Sequence, residues 1–297
     1  MKRRRLDKKI IAKRAQAAWE MADPCRLCPR HCGVRRRENK KGVCGTGRAA
    51  KVSSYFPHHG EERCLRGTRG SGTIFFAGCN LGCIFCQNYE LSQLGEGRET
   101  APEELAAAMM YLQEAGCHNL NLVTPTHVVP HILDALVVAV EAGFTLPIVY
   151  NSGGYDAVET LTLLEGIVDI YMPDFKYWDP VAAEQLSGAG DYPMTARQAV
   201  KEMHRQTGDL VLDDHGIAVR GLLVRHLVLP NGMAGTRDIM RFLADEISSD
   251  TFVNVMGQYH PCWRARTVAE INRPVRIEEI IRARQEALAA GLRRFAD

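Results

Sequence analysis

Short apolar segments alternate with amphipathic ones along most of this chain. From residue 71 onward, segments rich in Val, Ile, Leu and aromatic residues are each followed by a stretch with helical periodicity. The pattern predicts six strands, at residues 73–77, 119–123, 147–150, 168–172, 221–229 and 252–256. Because strands and helices alternate, we expect an α/β fold built on a parallel sheet with right-handed crossovers.

The number of repeated units predicts the form of that sheet. Eight strand–helix units close a barrel, whereas six leave it open, so we expect a partial (β/α)6 barrel over residues 71–297. Residues 1–21 predict a basic helix with an apolar stripe that includes Ile10 and Ile11. Residues 22–70 are rich in Cys, Arg and Gly and have no long periodic segment. We therefore expect residues 1–70 to form an N-terminal helix and a cysteine-rich metal-binding extension.

Composition and charge restrict the class of partner. The chain has 297 residues, is 46% hydrophobic and 24% charged, and carries a net charge of +2, which is typical of a globular protein. This balance argues against nucleic acid as a partner, although the basic residues 2–5 and 35–37 keep a nucleic-acid-modifying protein open as an alternative. No apolar run approaches the roughly 20 residues that span a bilayer. We expect a cytoplasmic protein with no membrane partner.

Three of the ten cysteines lie together in the loop after the first predicted strand. Cys79, Cys83 and Cys86 form the pattern C-x3-C-x2-C, and Gly78 and Gly82 allow the backbone to approach a bulky group closely. Clusters at such short spacings in an intracellular chain indicate metal ligands. Three thiolates can hold three irons of a [4Fe–4S] cube and leave the fourth iron open. A zinc site completed by a distant fourth ligand is the alternative.

A second group of four cysteines lies in the N-terminal extension. Cys25, Cys28, Cys32 and Cys44 are separated by two, three and eleven residues. Four soft ligands suit structural zinc or a second iron–sulfur cluster, and unmetallated thiols are the third possibility. The remaining cysteines are expected to be unliganded thiols, namely Cys64, Cys117 and Cys262.

The cysteine loop resembles that of a known family. GCNLGCIFCQN, residues 78–88, is similar to the loop of the radical S-adenosylmethionine (SAM) superfamily. The longer string GSGTIFFAGCNLGCIFCQNYELSQ resembles the branch of pyruvate formate-lyase activating enzyme-like proteins. The resemblance covers roughly residues 22–292, and other segments fit it too: CRLCPRHCGVRR, VYNSGGYD, YMPDFKY, RHLVLP and NVMGQYHP.

The resemblance implies a specific chemistry. Cys79, Cys83 and Cys86 would hold the [4Fe–4S] cluster, and SAM would bind its open iron. Reductive cleavage of SAM would release a 5′-deoxyadenosyl radical that abstracts hydrogen from a substrate. The implied partners are an electron donor such as flavodoxin or ferredoxin and, for a glycyl-radical activating enzyme, a protein substrate. A non-catalytic zinc or iron–sulfur module is the alternative.

The same resemblance implies contacts to the cofactor at the carboxyl ends of the strands. Asp174 and Lys176 resemble the Asp-x-Lys of glycyl-radical activating enzymes, with a local ion pair as the alternative. The chain departs from the superfamily after the second strand, where residues 124–127 replace a Gly-Gly-Glu-like segment. For His226 the alternative is a satisfied core histidine. The expected cofactor-binding residues are Phe85, Thr124, Asn151, Asp174, Lys176 and His226.

Overall fold

Ten strands carry the architecture of residues 6–296, the part of the chain that the computed structural model describes. In chain order, β1 to β10 are Ala50–His58, Ser71–Phe76, Arg98–Thr100, Leu120–Val123, Ile148–Ser152, Ile170–Pro173, Val211–Leu212, Ala218–Leu227, Phe252–Met256 and Arg294–Phe295. The sheet has the order β10-β9-β8-β6-β5-β4-β2-β1-β3, and β7 pairs with β8 beside this path.

Six of these strands form the predicted parallel arrangement. β2, β4, β5, β6, β8 and β9 pair in parallel with their neighbours in the sheet, and each overlaps one of the six predicted strands. The strand order ends at β10 on one side and β3 on the other, so the sheet is open. The predicted α/β fold with a partial barrel is therefore confirmed.

The sequence pattern missed four strands, of which β1 is the longest. The sequence analysis predicted no strand within residues 22–70, yet residues 50–58 pair antiparallel with β2, with Val52 opposite Phe76 and His58 opposite Ser71. Only alternate residues at the start of β1 are buried, and its centre is exposed, which leaves no clear period of two. A strand from the extension thus joins the sheet of the barrel, and the boundary at residue 70 stays a prediction.

Helices cover the outer face of the sheet. In chain order, α1 to α10 are Lys8–Ala22, Arg63–Arg66, Tyr89–Ser92, Pro102–Glu114, Val129–Glu141, Val158–Thr162, Pro180–Ser187, Tyr192–Thr207, Thr236–Phe242 and Ile277–Ala289. Leu105 and Met109 of α4 are fully buried in one cluster with Leu120 and Leu122 of β4. Each such side chain contributes about 1.5–3 kcal/mol by leaving water. No helix within residues 6–296 is long and apolar enough to cross a membrane.

Alternation along the strands divides apolar from polar side chains. In β4, Leu120 and Leu122 pack on the helices, so Asn121 between them faces the interior of the barrel. The same rule in β8 directs Val224 and His226 outward and Arg225 inward. The inner face of the open barrel therefore carries polar groups near the carboxyl ends of its strands.

The N-terminal helix docks on the barrel through α5. Ile11, Ala15 and Ala18 of α1 are buried, whereas Ile10, expected in the same stripe, is 47% exposed. That expectation was wrong because Ile10 lies one position outside the narrow face that the small alanines bring against α5. The basic residues 2–5 lie outside the described residues.

Candidate active site

The three-cysteine loop, residues 79–86, begins directly after β2. Gly78 turns the chain into the loop with a φ of +87°, a left-handed conformation that favours glycine. A Cβ atom at Gly78 would lie 2.4 Å from the carbonyl oxygen of Cys44, so the extension reaches the base of the loop. The loop thus leaves the carboxyl edge of the parallel sheet, where open α/β folds bind their ligands.

Each sulfur atom of this loop has its own polar neighbour. The backbone N–H of Leu81 donates to Cys79 Sγ at 3.4 Å. Ser187 Oγ donates to Cys83 Sγ at 3.2 Å, and Cys86 Sγ lies 3.2 Å from Ser92 Oγ. Hydrogen bonds to sulfur are among the features by which proteins tune iron–sulfur sites.

The three thiols also influence one another. Burial, together with the proximity of Cys83 and Cys86, raises the pKa of the Cys79 thiol to about 12. Burial likewise raises the pKa of Cys86. The three thiols therefore share one region, and Cys79 and Cys86 keep their protons at neutral pH in the absence of a metal. A metal displaces these protons because the thiolate is the ligand.

This donor set fits an iron–sulfur cube. Thiolates are the usual ligands of [4Fe–4S] clusters, and each binds a different iron of the cube. Among residues 6–296, no three His, Cys, Asp or Glu side chains converge on one point as a single metal ion requires. Three thiols spread along one loop therefore match a cube better than the alternative zinc ion.

A buried ionic network lies beside the loop and joins three of the predicted residues. Lys176 Nζ is 2.5 Å from Asp174 Oδ2, and Arg225 Nε is 2.9 Å from Asp174 Oδ1. Arg225 Nη2 also donates to Asn151 Oδ1 at 2.8 Å. The structure thus brings Asn151, Asp174 and Lys176 together. The network also includes Arg225, for which the sequence analysis predicted no role.

The charges in this network fix its protonation state. Burial acts to raise the pKa of Asp174, but the nearby charges of Arg225 and Lys176 outweigh it and hold that pKa below the ordinary value. Burial acts to lower the pKa of Lys176, but Asp174 and then Cys83 outweigh it, so that pKa is raised. The ammonium group therefore stays charged and faces the cysteine loop, where it favours the thiolate of Cys86.

Of two further predicted residues, Thr124 contacts this network through its backbone and Phe85 belongs to the cysteine loop. Thr124 has a φ of +59°, and its backbone N–H donates to the carbonyl oxygen of Asn151 at 2.9 Å. Phe85 is buried within the loop and packs edge-to-face against Tyr177 and Tyr259, with centroid distances of 6.2 and 5.8 Å. Their contacts to a cofactor stay predictions.

The segment that replaces the Gly-Gly-Glu-like motif binds an internal carboxylate. Thr126 Oγ1 donates to Asp156 Oδ1 at 2.6 Å. Asp156 also accepts hydrogen bonds from Ser152 Oγ at 2.6 Å and Tyr150 Oη at 3.0 Å. Burial nevertheless raises the pKa of Asp156. The carboxylate thus joins the ends of β4 and β5, a structural role that the sequence analysis missed.

His226 is hydrogen-bonded through both of its ring nitrogens. Its Nδ1 is 2.7 Å from the carbonyl oxygen of Phe175, and its Nε2 is 2.8 Å from Thr236 Oγ1. Burial lowers the pKa of its ring to about 4. Since Arg225 faces inward, His226 faces outward, and the described residues satisfy both ring nitrogens. These contacts match the alternative of a satisfied core histidine, and a contact of His226 to a cofactor stays a prediction.

Two further carboxylates lie in the barrel interior. Glu61 Oε2 is 3.9 Å from Arg225 Nη1, and Asn254 Nδ2 donates to Glu62 Oε1 at 2.8 Å. Glu62 Oε2 and the Asn121 amide face Glu61 without a well-aligned hydrogen bond. Burial raises the pKa of Glu61 to about 7 against the opposing charge of Arg225. No sequence signal marks this pair, because it lies in a segment without periodicity.

The four cysteines of the extension also lie close to one another. Cys25, Cys28 and Cys44 are buried, and Cys32 is half-buried. Burial raises the pKa of Cys28 to about 12, and each of the other three thiols adds to that increase. The structure thus brings the predicted group together, and its metal stays a prediction.

Comparisons with known proteins place this geometry in a family. The model of the radical SAM superfamily matches residues 73–211. The uncharacterised protein MJ0674 of Methanocaldococcus jannaschii is 34% identical over 284 residues, which cover 92% of this chain and 77% of the relative. The uncharacterised protein MJ0808 of the same organism is 28% identical over 287 residues, which cover 91% of this chain and 79% of the relative.

Two solved structures resemble the fold. A radical SAM methyltransferase from Sphaerobacter thermophilus has a TM-score of 0.49 at 18% identity, with coverage of 75% of this chain and 65% of that one. This chain therefore spans slightly less than two thirds of the methyltransferase. Methylornithine synthase has a TM-score of 0.44 at 18% identity, with coverage of 73% and 67%.

The matched span contains the parts of the site described above. It begins in β2, includes the three-cysteine loop and extends past Asp174 and Lys176. Membership implies a [4Fe–4S] cluster and SAM as cofactors, and the three thiols on their loop fit that cluster. From the family match, the relatives that align with more than nine tenths of this chain and the cysteine loop, we conclude that the chain belongs to the radical SAM superfamily.

Proposed function

We propose that this protein is an enzyme that cleaves SAM reductively to generate a radical for hydrogen abstraction. The observation that carries the proposal is one loop at the carboxyl edge of the sheet bearing Cys79, Cys83 and Cys86, with the Asp174–Lys176 pair beside it. When bound, the [4Fe–4S] cluster supplies one electron to the sulfonium of SAM, which yields methionine and a 5′-deoxyadenosyl radical.

The residues around the loop have complementary tasks in this proposal. The three thiolates bind the cluster, and hydrogen bonds from Ser187 and the loop backbone orient the sulfur atoms. Asp174 holds the Lys176 ammonium toward the loop, where a fixed positive charge attracts a carboxylate such as that of the methionine moiety. Packed aromatic rings around Phe85 exclude water from one side of the loop.

The barrel interior is the proposed position of the substrate. Asn151, Arg225 and Glu61 line it with polar groups below the loop, so hydrogen abstraction takes place at the carboxyl ends of the strands. The electron donor in this proposal is a flavodoxin or ferredoxin. A glycine on a partner protein, as in glycyl-radical activation, is one candidate target, and it rests on the sequence resemblance alone.

SAM cleavage provides the direct test. The protein is purified without oxygen, reconstituted with iron and sulfide, and incubated with dithionite and SAM while 5′-deoxyadenosine is measured. Cys83→Ala is expected to abolish both the product and the brown absorbance near ~400 nm. Cys117→Ala, a buried cysteine outside both groups, is the matched control and should retain both. A cluster-loaded protein that forms no 5′-deoxyadenosine would instead support the non-catalytic metal-binding module.

A further inference from the structure

An arginine is buried in the extension without a carboxylate partner. The Arg36 side chain is fully buried, with the residue 1% exposed. Its Nη1 donates to the carbonyl oxygen of His127 at 2.5 Å and its Nη2 to Cys44 Sγ at 3.2 Å, while Nε has no hydrogen-bond partner. None of the ion pairs formed within residues 6–296 includes Arg36. Cys44 is therefore the group in contact with Arg36 that is able to supply a negative charge.

Burial of this guanidinium requires a counter-charge. An uncompensated ion in a protein interior costs several kcal/mol, and arginine does not escape that cost by losing its proton. A neutral thiol supplies no charge, whereas a metal-bound thiolate does. Four thiolates around a [4Fe–4S]²⁺ cube leave a net charge of about −2, which the Arg36 guanidinium offsets in part.

The other three cysteines surround the same small region. Cys25 and Val34 pair through a backbone hydrogen bond of 2.9 Å that folds the first two cysteines back on the segment after Cys32. A Cβ atom at Gly42 would lie 2.7 Å from Cys32 Sγ, so this sulfur lies against the segment that contains Gly42 and Cys44. The local apolar cluster contains Ala22, Cys25 and Leu27 as its buried residues. So small a core leaves this segment in need of another source of stability.

We propose that Cys25, Cys28, Cys32 and Cys44 bind a second metal centre through four thiolates, with the buried Arg36 as its counter-charge. The centre is a [4Fe–4S] cube, because within residues 6–296 no three such side chains converge closely enough for one zinc ion, whereas a cube binds each thiolate through a different iron. All four positions are protein ligands, so the centre has no open site for SAM. Metal binding draws the four sulfur atoms together and thereby stabilises the fold of the extension.

The second centre also positions the loop of the first. Arg30 lies between Cys28 and Cys32 in the chain and donates to the carbonyl oxygens of Asn80 and Leu81 at 2.9 Å each. The Arg30 guanidinium also donates to the carbonyl oxygen of Ser187 at 2.9 Å. The hydroxyl of Ser187 in turn donates to Cys83 Sγ. A metal that fixes the C-x2-C-x3-C segment therefore fixes Arg30 and, through it, the cysteine loop.

Metal analysis of a full-length variant lacking the other cysteine group tests the second centre. In the triple variant Cys79→Ala, Cys83→Ala, Cys86→Ala, we expect about four irons with matching sulfide per chain after anaerobic purification and reconstitution, and about one zinc in place of iron would contradict the cube. Addition of Cys28→Ser should remove this metal, whereas Cys117→Ala should not. Substoichiometric metal in the triple variant, or metal that survives Cys28→Ser, would overturn the proposal.

Arg36→Met in the same triple variant provides a test that does not depend on losing a ligand. Methionine keeps the approximate volume and removes the charge, so the increase in Tm on loading with ferrous iron and sulfide should be smaller than with arginine. A merely structural arginine would lower Tm equally with and without metal, and that result would contradict the counter-charge. Because the triple variant cannot cleave SAM, neither outcome bears on the proposed enzymatic function.

Discussion

A single carboxyl group, Glu61, makes the barrel interior sensitive to pH. Its side chain is 9% exposed and lies 3.9 Å from Arg225 Nη1, yet burial raises its pKa to about 7. In the unfolded chain the group titrates near 4.5. Between these pH values the folded protein keeps a proton that the unfolded chain releases. Stability is therefore lost as pH rises from about 4.5 through about 7.

Glu61→Gln should remove this pH dependence. The amide resembles the protonated carboxyl and does not ionise, so the variant should be more stable than the natural protein above pH 7 by about 1–3 kcal/mol, since one pKa unit corresponds to about 1.4 kcal/mol. The two proteins should be similar in stability at pH 4.5. Urea unfolding across this pH range measures the difference. The exposed Glu159→Gln is the matched control, and parallel pH profiles for Glu61→Gln and the natural protein would contradict the buried proton.

At the scale of elements, the cysteine loop is held between the extension and the barrel. Gly78 contacts the Cys44 carbonyl, and Arg30 binds the backbone of the loop through two carbonyl oxygens. Arg30 also donates to the carbonyl oxygen of Gly188. The loop therefore depends on contacts from residues far away in sequence, and its geometry responds to changes in the extension.

Gly78→Ala should weaken cluster retention. The added methyl group meets a backbone carbonyl 2.4 Å away, and Gly78 has a φ of +87°, which costs roughly 1–2 kcal/mol for alanine before the clash is counted. Gly95→Ala is the matched control, because its φ is +70° with nothing within 4 Å of the added atom. Both variants carry the conformational cost, but only Gly78→Ala should lose iron on gel filtration. Equal iron content in the two variants would show that the contact does not shape the loop.

At the scale of the whole molecule, α1 fastens the extension to the barrel. Trp19 Nε1 donates to Asp134 Oδ2 of α5 at 2.7 Å, and the Trp19 ring meets the His131 ring edge-on at 4.8 Å. The guanidinium of Arg37 lies 5.9 Å from the same ring. One aromatic side chain thus connects the N-terminal helix, the cysteine-rich segment and the barrel.

Trp19→Ala should loosen the extension selectively. Loss of the ring and its hydrogen bond costs about 2 kcal/mol for a half-buried position, and that cost acts on the attachment of α1. Hydrogen exchange measured by mass spectrometry should become faster in residues 8–22, while β4, β5 and β6 keep their protection. Trp19→Phe, which retains a ring, should show a smaller effect. Uniformly faster exchange over the whole chain would argue that α1 is part of one cooperative unit with the barrel.

Local patterns were sufficient for the six parallel strands and the two cysteine groups. A buried strand needs a short apolar run, and metal ligands on one loop need fixed spacing, so both leave their mark within a few neighbouring residues. The edge strand β1 was missed because it is half-exposed and its residues show no regular alternation. Asp174 and Lys176 were predicted from their resemblance to an Asp-x-Lys pattern, which likewise lies within one short segment.

By itself the sequence determined the alternation that makes an α/β partial barrel and the spacing that makes a three-thiol loop. Only the tertiary structure decided that Arg225 turns inward to Asp174 while His226 turns outward, because alternation states that neighbours oppose each other but not which one faces the interior. It also decided that Arg36 meets Cys44 and that Glu61 meets Arg225. Burial and charge pairing depend on which distant segments share one interior, and no local pattern encodes that.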